Sequence, residues 1–365
     1  MMKLLRFLFL TISLLVQLIS AQQLTGWPAL DVPPPNVTEY TALVNMSMVP
    51  NAPKKTTAEV SGNTPKCPAT DTYCYWPCNG CVRNDSDIVF CPNVGDWGLS
   101  FDDGPTNYTI PLLDYLDSVK LKITFFIVGS RVVESPDILK RIVSSGHQVG
   151  VHTWSHPYLT TQSNEQVIAE LQWTAAIIKN VTGVTPIYMR PPFGDYDDRI
   201  RSICTQLGYK IVIWDLDTND WTSADDKSFR LSWIESNFTQ WVKQNSTTGH
   251  ISLEHDLYNQ TAAQGPLVVP ILQTAKFNIK PIANCLGHPG LFYKENSTTN
   301  IATTTSSMPT STISTPTKPA VDSPVASSQD SKSTKTSLAV KNNYNYLWSF
   351  ILGIILIAFI SFNNL

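Results

Sequence analysis

Between Trp97 and Ala275 short apolar runs alternate with amphipathic ones, and this alternation is the tightest constraint on the fold. Short strands separated by helices pack as a parallel sheet, because each crossover lays a helix back onto it. The pattern predicts strands at Trp97–Phe101, Lys122–Ile127, Gln148–Val151, near Ile187, at Tyr209–Trp214 and at Ile251–Leu253. It predicts helices at Ile110–Val119, Pro136–Ser145, Asn164–Val181, Asp198–Leu207, Lys227–Val242 and Leu267–Ala275. Asn164 is the expected N-cap of the third helix, and Val167, Ile168, Leu171, Ala175 and Ile178 its buried face. Such repeats, over about two hundred residues, predict an α/β fold, a distorted or incomplete (β/α) barrel. In a barrel of this kind the active site forms where the strands end.

The two ends bound the compartment. Lys3 and Arg6 precede an apolar run and Ile19-Ser20-Ala21, so residues 1–21 read as a secretory signal peptide. Residues 22–66 are a Pro/Asn-rich lead-in, expected to be loosely ordered, and 67–91 a Cys-rich segment. A catalytic domain is placed at 92–290, a Ser/Thr/Pro-rich stalk at 291–340, and a terminal apolar tail at 341–365. A polar spacer and small residues before such a tail read as a GPI-anchor signal, with a transmembrane helix as the competing reading. The expected location is the secretory pathway, then the cell membrane, cell wall or exterior.

Sequons at Asn36, Asn45, Asn84, Asn107, Asn180, Asn237, Asn245, Asn259 and Asn296 fit that route as glycosylation sites. In an oxidising compartment the seven cysteines read as disulfides, and their odd number leaves one thiol over. The net charge of −3 offers no basic patch for nucleic acid.

Five clusters fall just past predicted strands. Ser100-Phe101-Asp102-Asp103-Gly104-Pro105 ends a strand with two acids whose side chains point different ways, although alone it reads as a polar turn. His152-Thr153-Trp154-Ser155-His156 offers two imidazoles that, with one carboxylate, leave an open position on zinc. Pro157 biases His156 away from the helical region, which puts the pair on a loop. Arg190-Pro191-Pro192-Phe193-Gly194 is a rigid loop whose Arg can hold a carboxylate or form a structural ion pair. Trp214 to Trp221 carries Asp215, Asp217 and Asp220 among aromatic faces. Leu253-Glu254-His255-Asp256 offers a histidine as proton donor or as a structural partner.

In this order and with this spacing, SFDDGP, HTWSH, RPPFG, DTNDW and LEH resemble the polysaccharide deacetylase family, carbohydrate esterase family four, over about Trp97 to Cys285. The Cys-rich lead-in, the sequons and the Ser/Thr tail resemble fungal cell-surface members. The resemblance implies metal-dependent hydrolysis of N-acetyl groups, with chitin or chito-oligosaccharides the preferred substrate and peptidoglycan or acetyl-xylan as alternatives. It implies Asp102 as general base and Asp103, His152 and His156 as ligands of one divalent ion, zinc or cobalt. Arg190 would orient Asp102, and the Phe193 N–H would help bind the oxyanion. Asp220 would support the general acid His255, and Trp221 and Leu253 would line the acetyl pocket. Ser100 and Phe193 stand where many members have Thr and Tyr.

Two rival classes remain. A retaining glycosidase needs carboxyls about 5–5.5 Å apart across the bond, which adjacent acids suit poorly. A non-catalytic wall-binding protein would not need the base, ligands and acid. In a barrel the first and last elements are neighbours, so Cys91 and Cys285 are expected to be bonded. Cys67, Cys74, Cys78 and Cys81 would pair among themselves, with Cys204 free.

Overall fold

The computed structural model describes residues 24, 26–61, 65–288 and 293; the predicted signal segment and apolar tail lie outside them, as does the stalk apart from Tyr293. Among the described residues nine strands form one sheet: β1 Asp87–Ile88, β2 Asp96–Asp102, β3 Thr124–Ile127, β4 Gln148–Val151, β5 Tyr188–Met189, β6 Lys210–Val212, β7 Leu216–Asp217, β8 His250–His255 and β9 Asn278–Ile279. Their order is β1-β6-β5-β4-β3-β2-β8-β7, with β9 beside β2, and every pairing is parallel. The longest ladder joins β2 to β8, from Trp97 opposite His250 to Asp102 opposite His255.

The sheet curls without closing. β1 and β7 are its two edges, and β6 and β7 are consecutive in the chain yet unpaired. Ile213-Trp214-Asp215 crosses between the edges: Ile213 N–H donates to the Ile88 carbonyl (2.8 Å) and Asp215 N–H to the Ile251 carbonyl (3.2 Å). This is the incomplete barrel expected from the strand–helix alternation.

Strand alternation sends neighbouring side chains to opposite faces. Leu99, Phe101 and Phe125 pack outward against Leu113, Ile142, Ile168 and Leu272 of the helices. Phe126, Tyr188, Val212 and Ile251 form a smaller inner cluster with Cys91 and Ile282. Cys91 is bonded to Cys285 with Cα atoms 5.4 Å apart and a sequence separation of 194, as expected. In the chain-entropy model a loop that long is worth roughly 4–5 kcal/mol, with measured values often lower. Cys67–Cys78 and Cys74–Cys81 close the Cys-rich segment, and buried Cys204 is free.

Several expectations are corrected. The third helix, Asn164–Thr182, is capped by Ser163, whose side chain accepts the Gln166 N–H; Asn164 is its first residue. The strand expected over Tyr209–Trp214 shortens to β6, because residues 213–215 leave the ladder to cross the opening. The helix expected from Lys227 begins at Ser232. A short helix at Gly129–Glu134 was not anticipated. The lead-in is not loosely ordered. Its Trp27 stacks on Trp154 at 6.2 Å and meets Trp173 edge-on at 5.8 Å, and Val44, Ala52 and Val60 are buried.

Candidate active site

The five clusters converge where the strands end. β2 delivers Asp102 and Asp103, the loop after β4 delivers His152 and His156, and Arg190 follows β5. His255 is the last residue of β8, paired with Asp102 in the ladder. By strand alternation Leu253 shares His255's face of the sheet, and it is buried.

Asp103, His152 and His156 form a compact donor set whose ligating atoms lie within 4.8 Å of one another. Asp103 Oδ1 lies 3.5 Å from His152 Nε2 and 3.2 Å from His156 Nε2. That oxygen is buried and has no hydrogen-bond partner, as expected of an atom meant for a cation. His152 Nδ1 faces the Arg190 carbonyl at 2.8 Å, which turns Nε2 toward the acids. Burial holds both imidazoles below their ordinary range, hence neutral, the form a metal requires. Despite its burial, Asp103 is held ionised below the ordinary carboxylate range by positive charge around it; with His152 and His156 neutral, that charge is carried by His255 and Arg131. Two imidazoles and a carboxylate therefore fit a divalent ion such as zinc.

The loops that line the site are strained, and those that carry the ligands are externally braced. Asp103 (φ 80°), Thr153 (φ 64°), His156 (φ 57°), Phe193 (φ 59°) and Asn219 (φ 55°) all lie in the left-handed region. Such conformations persist only where the surroundings enforce them. Arg131 Nη1 donates to the Asp103 carbonyl at 2.6 Å. Glu170, fully buried on the apolar face of its helix, accepts the Trp154 and Ser155 N–H groups, both at 2.8 Å, and the Ser155 hydroxyl at 2.6 Å.

Asp102 is anchored apart from this set. Arg190 Nη1 donates to Asp102 Oδ1 and to Ser100 Oγ, both at 2.8 Å, while its guanidinium lies over the Phe126 ring at 4.2 Å. Burial pushes Asp102 up to about 6, against the pull of Arg190, which suits a proton acceptor working near neutral pH. Opposite it, Asp220 accepts His255 Nδ1 at 2.6 Å and the His255 N–H at 2.9 Å. Burial alone would lower His255, but the Asp220 carboxylate, helped by Asp103 and Asp102, raises it to about 10. It is therefore protonated at neutral pH and ready to donate.

Two predicted contacts sit at the rim. Phe193 is half exposed and stacks on Tyr158 at 4.0 Å, beside His156 at 4.6 Å. The following Gly194 (φ +61°) presses on Trp76 of the Cys-rich segment, whose ring fills the space a Cβ would take. Trp221 is 46% exposed and borders a separate cavity of about 390 Å³. Of the sequons, Asn36, Asn45, Asn84, Asn107, Asn180, Asn245 and Asn259 are exposed, Asn237 is half buried, and Asn296 lies outside the described residues.

Arg131, Glu170 and Trp76 were not singled out from sequence. Glu170 had a usable signal, a lone acid among the helix's apolar positions. Arg131 shortly follows a strand end, and Trp76 had no local signal.

The polysaccharide deacetylase family profile matches residues 91–212. Chitin deacetylase 1 of Cryptococcus neoformans var. grubii is 42% identical over 289 residues, covering 73% of this chain and 60% of that protein. Chitin deacetylase 2 of Saccharomyces cerevisiae is 34% identical over 267 residues, covering 72% of this chain and 78% of that protein. Among solved structures, the chitin deacetylase of Colletotrichum lindemuthianum is similar at a TM-score of 0.53 and 27% identity, over 60% of this chain and 100% of that one. The chain thus spans about three fifths of the length of the Cryptococcus relative.

Proposed function

The chain belongs to the polysaccharide deacetylase family, and from that premise we propose that it hydrolyses the N-acetyl groups of chitin to give chitosan and acetate. The observation that carries this reading is the opposition of an Arg-anchored Asp102 to an Asp-held, protonated His255 beside the Asp103–His152–His156 donor set. Kinship with fungal chitin deacetylases favours chitin over peptidoglycan or acetyl-xylan.

Asp103, His152 and His156 would hold the divalent ion, zinc or cobalt. When bound, such an ion acts as a Lewis acid and lowers the pKa of its water from about 15.7 to about 7. Asp102 takes the proton of the attacking water, and Arg190 keeps its carboxylate aimed. The Phe193 N–H faces the oxygen on which charge develops, where one preorganised donor is typically worth about 3–4 kcal/mol. His255 gives its proton to the departing sugar amine, with Asp220 holding the ring and compensating its charge. Leu253 and Trp221 line the space for the acetyl methyl. A glycosidase is disfavoured because Asp102 and Asp103 project differently from one strand end.

Residues 1–21 act as the signal peptide and residues 341–365 as the GPI signal, which places the enzyme at the cell membrane or wall with glycans at its sequons. No described helix is long and apolar enough to cross a membrane. The test is acetate release from chitin oligomers, peptidoglycan and acetyl-xylan, with chelator and with added zinc or cobalt. Release from chitin that a chelator abolishes and the metal restores supports the reading; release only from another polymer, or full activity without metal, overturns it.

A further inference from the structure

We propose that Trp76 is a positioning residue for the hydrolysis: fastened by the two disulfides of the Cys-rich segment, it wedges the loop Arg190–Gly194 into the shape that aims the Phe193 N–H, and it backs the Arg190 that holds Asp102. This rests on the deacetylase reading above. It goes beyond that reading in placing part of the working machinery outside the family profile, which starts at residue 91.

Phe193 and Gly194 are consecutive residues with left-handed backbone, at φ 59° and φ 61°. Glycine takes that conformation freely, whereas a bulky side chain holds it only where its surroundings insist. Two aromatic rings insist here. Tyr158 stacks on the Phe193 ring at 4.0 Å, with 15° between the planes. Trp76 lies against Gly194, in the space a Cβ would take. Without that indole the turn is free to relax toward negative φ. Relaxation rotates the peptide between Pro192 and Phe193 and carries its N–H off the line to the oxyanion.

The same indole meets Trp214 edge-on, with centroids 5.0 Å apart and 65° between the planes. Trp214 in turn faces the Arg190 guanidinium, whose Cζ lies 5.5 Å from its ring. One side chain therefore stands behind both the oxyanion donor and the anchor of the base. Both devices serve the attack of water rather than the departure of the amine.

The wedge is built in. Trp76 lies inside both disulfide loops, Cys67–Cys78 and Cys74–Cys81, and opens the short helix Trp76–Asn79. Its backbone N–H donates to the Tyr196 carbonyl at 3.2 Å. The adjacent Tyr75 hydroxyl donates to Asp195 Oδ1 at 2.8 Å, and Asp195 Oδ2 accepts the Thr160 N–H at 2.7 Å. Arg201 donates to the Cys74 and Cys81 carbonyls at 2.6 and 2.9 Å. The Cys-rich segment is thus tied to residues 195–201, directly after the loop that it shapes. An indole fixed in advance makes the loop ready before substrate arrives.

The test uses the full-length secreted protein, unaltered and as Trp76→Ala, Trp76→Phe, Gly194→Ala and the double variant Trp76→Ala/Gly194→Ala. Each is measured for metal content, thermal unfolding and steady-state hydrolysis of a chitin tetramer and of nitrophenyl acetate, an activated ester whose leaving group needs no proton. Trp76→Ala is expected to lower kcat about 10²-fold on both substrates with KM and metal content unchanged, the scale of an attack geometry misplaced by about 1 Å. Trp76→Phe keeps a ring and should restore most of kcat. Gly194→Ala should reproduce the loss. The double variant should lose less than the product of the two single losses, because the added methyl then has room. A Trp76→Ala protein that keeps its kcat, or that loses activity only in proportion to lost metal or lost folded protein, overturns the proposal. So does a loss confined to the chitin tetramer, which would make Trp76 a substrate contact, or a double variant whose losses simply multiply. An unaltered enzyme that cleaves the ester but no chitin would sink the chitin reading alone, and the ester rates would still decide for or against Trp76.

Discussion

The β2/β4 corner and the β8 corner of the site hold the same kind of side chain in opposite states. At the first, His152 is buried and His156 beside it largely so, and desolvation keeps both neutral. At the second, His255 is buried too, yet one carboxylate at 2.6 Å keeps it charged. The difference lies in partners rather than depth: at the first corner one carboxylate, Asp103, is shared by two mutually repelling imidazoles, whereas Asp220 pairs with His255 alone and Asp103 and Asp102 add to its pull. The corners also differ in construction. The first rests on left-handed backbone braced from outside by Arg131 and Glu170. The second ends a regular strand of six residues.

The sharpest way to break the comparison is His152→Ala. Removing a ligand should empty the first corner of metal and take turnover with it to the limit of detection, whereas His255→Ala should leave metal content unchanged. Metal analysis beside turnover decides it; a His152→Ala protein that retains its metal would dissolve the distinction.

Next in size are Asp102→Asn and His255→Ala as rate variants. Each should lower kcat by about 10²–10⁴-fold with metal retained, the usual share of a general acid or base. A near-normal rate for either variant would remove that residue from proton transfer.

Glu170→Gln tests whether external bracing makes the first corner. It should weaken metal affinity by about 10–100-fold, typical for a partner behind the ligands, with a smaller change in kcat at saturating metal. Competition with a graded chelator measures it, and unchanged affinity would mean that the loop holds its shape alone.

The smallest effect is expected from Asp220→Asn, read as a pH profile. In the unaltered enzyme His255 stays protonated as pH rises until about 10. Without the carboxylate its pKa falls, so the alkaline limb of kcat should move toward neutral pH. The same pair contributes stability that is fully present below about pH 6.5 and lost as pH rises toward about 10. An alkaline limb that does not move would show that Asp220 only positions the ring.

Much of the site was legible because its chemistry sits in short motifs at strand ends, where Gly, Pro and charged residues interrupt apolar runs. The braces were not, because they act across long separations. Arg131 reaches back 28 residues to the Asp103 carbonyl, and Trp76 meets Gly194 from outside the barrel altogether. Ser163 and Asn164 are both good caps, and composition could not say which one ends the coil. Tyr209–Trp214 read as one strand because all but Lys210 are apolar, whereas pairing ends with the Ile213 N–H on Ile88 and the half-buried Trp214 crosses the sheet opening. The lead-in misled for the same reason: Trp27 and Val44 show no local period, and their partners lie far away in sequence.

That lead-in separates two boundaries usually assumed to coincide. The stretch shared with the family profile starts at residue 91, but the cooperative unit starts far earlier. Trp27 roofs Trp154 in the ligand loop, Ala29 accepts the Trp154 indole N–H at 3.3 Å, and Asp31 approaches Arg131 to 3.7 Å. A chain trimmed to begin at residue 91 would keep every catalytic residue and expose the underside of the loop that aims two of them. Ancestry delimits the chemistry here, whereas thermodynamics delimits the object that folds, and the roughly sixty residues between the two limits are where members of one family can diverge without touching a motif.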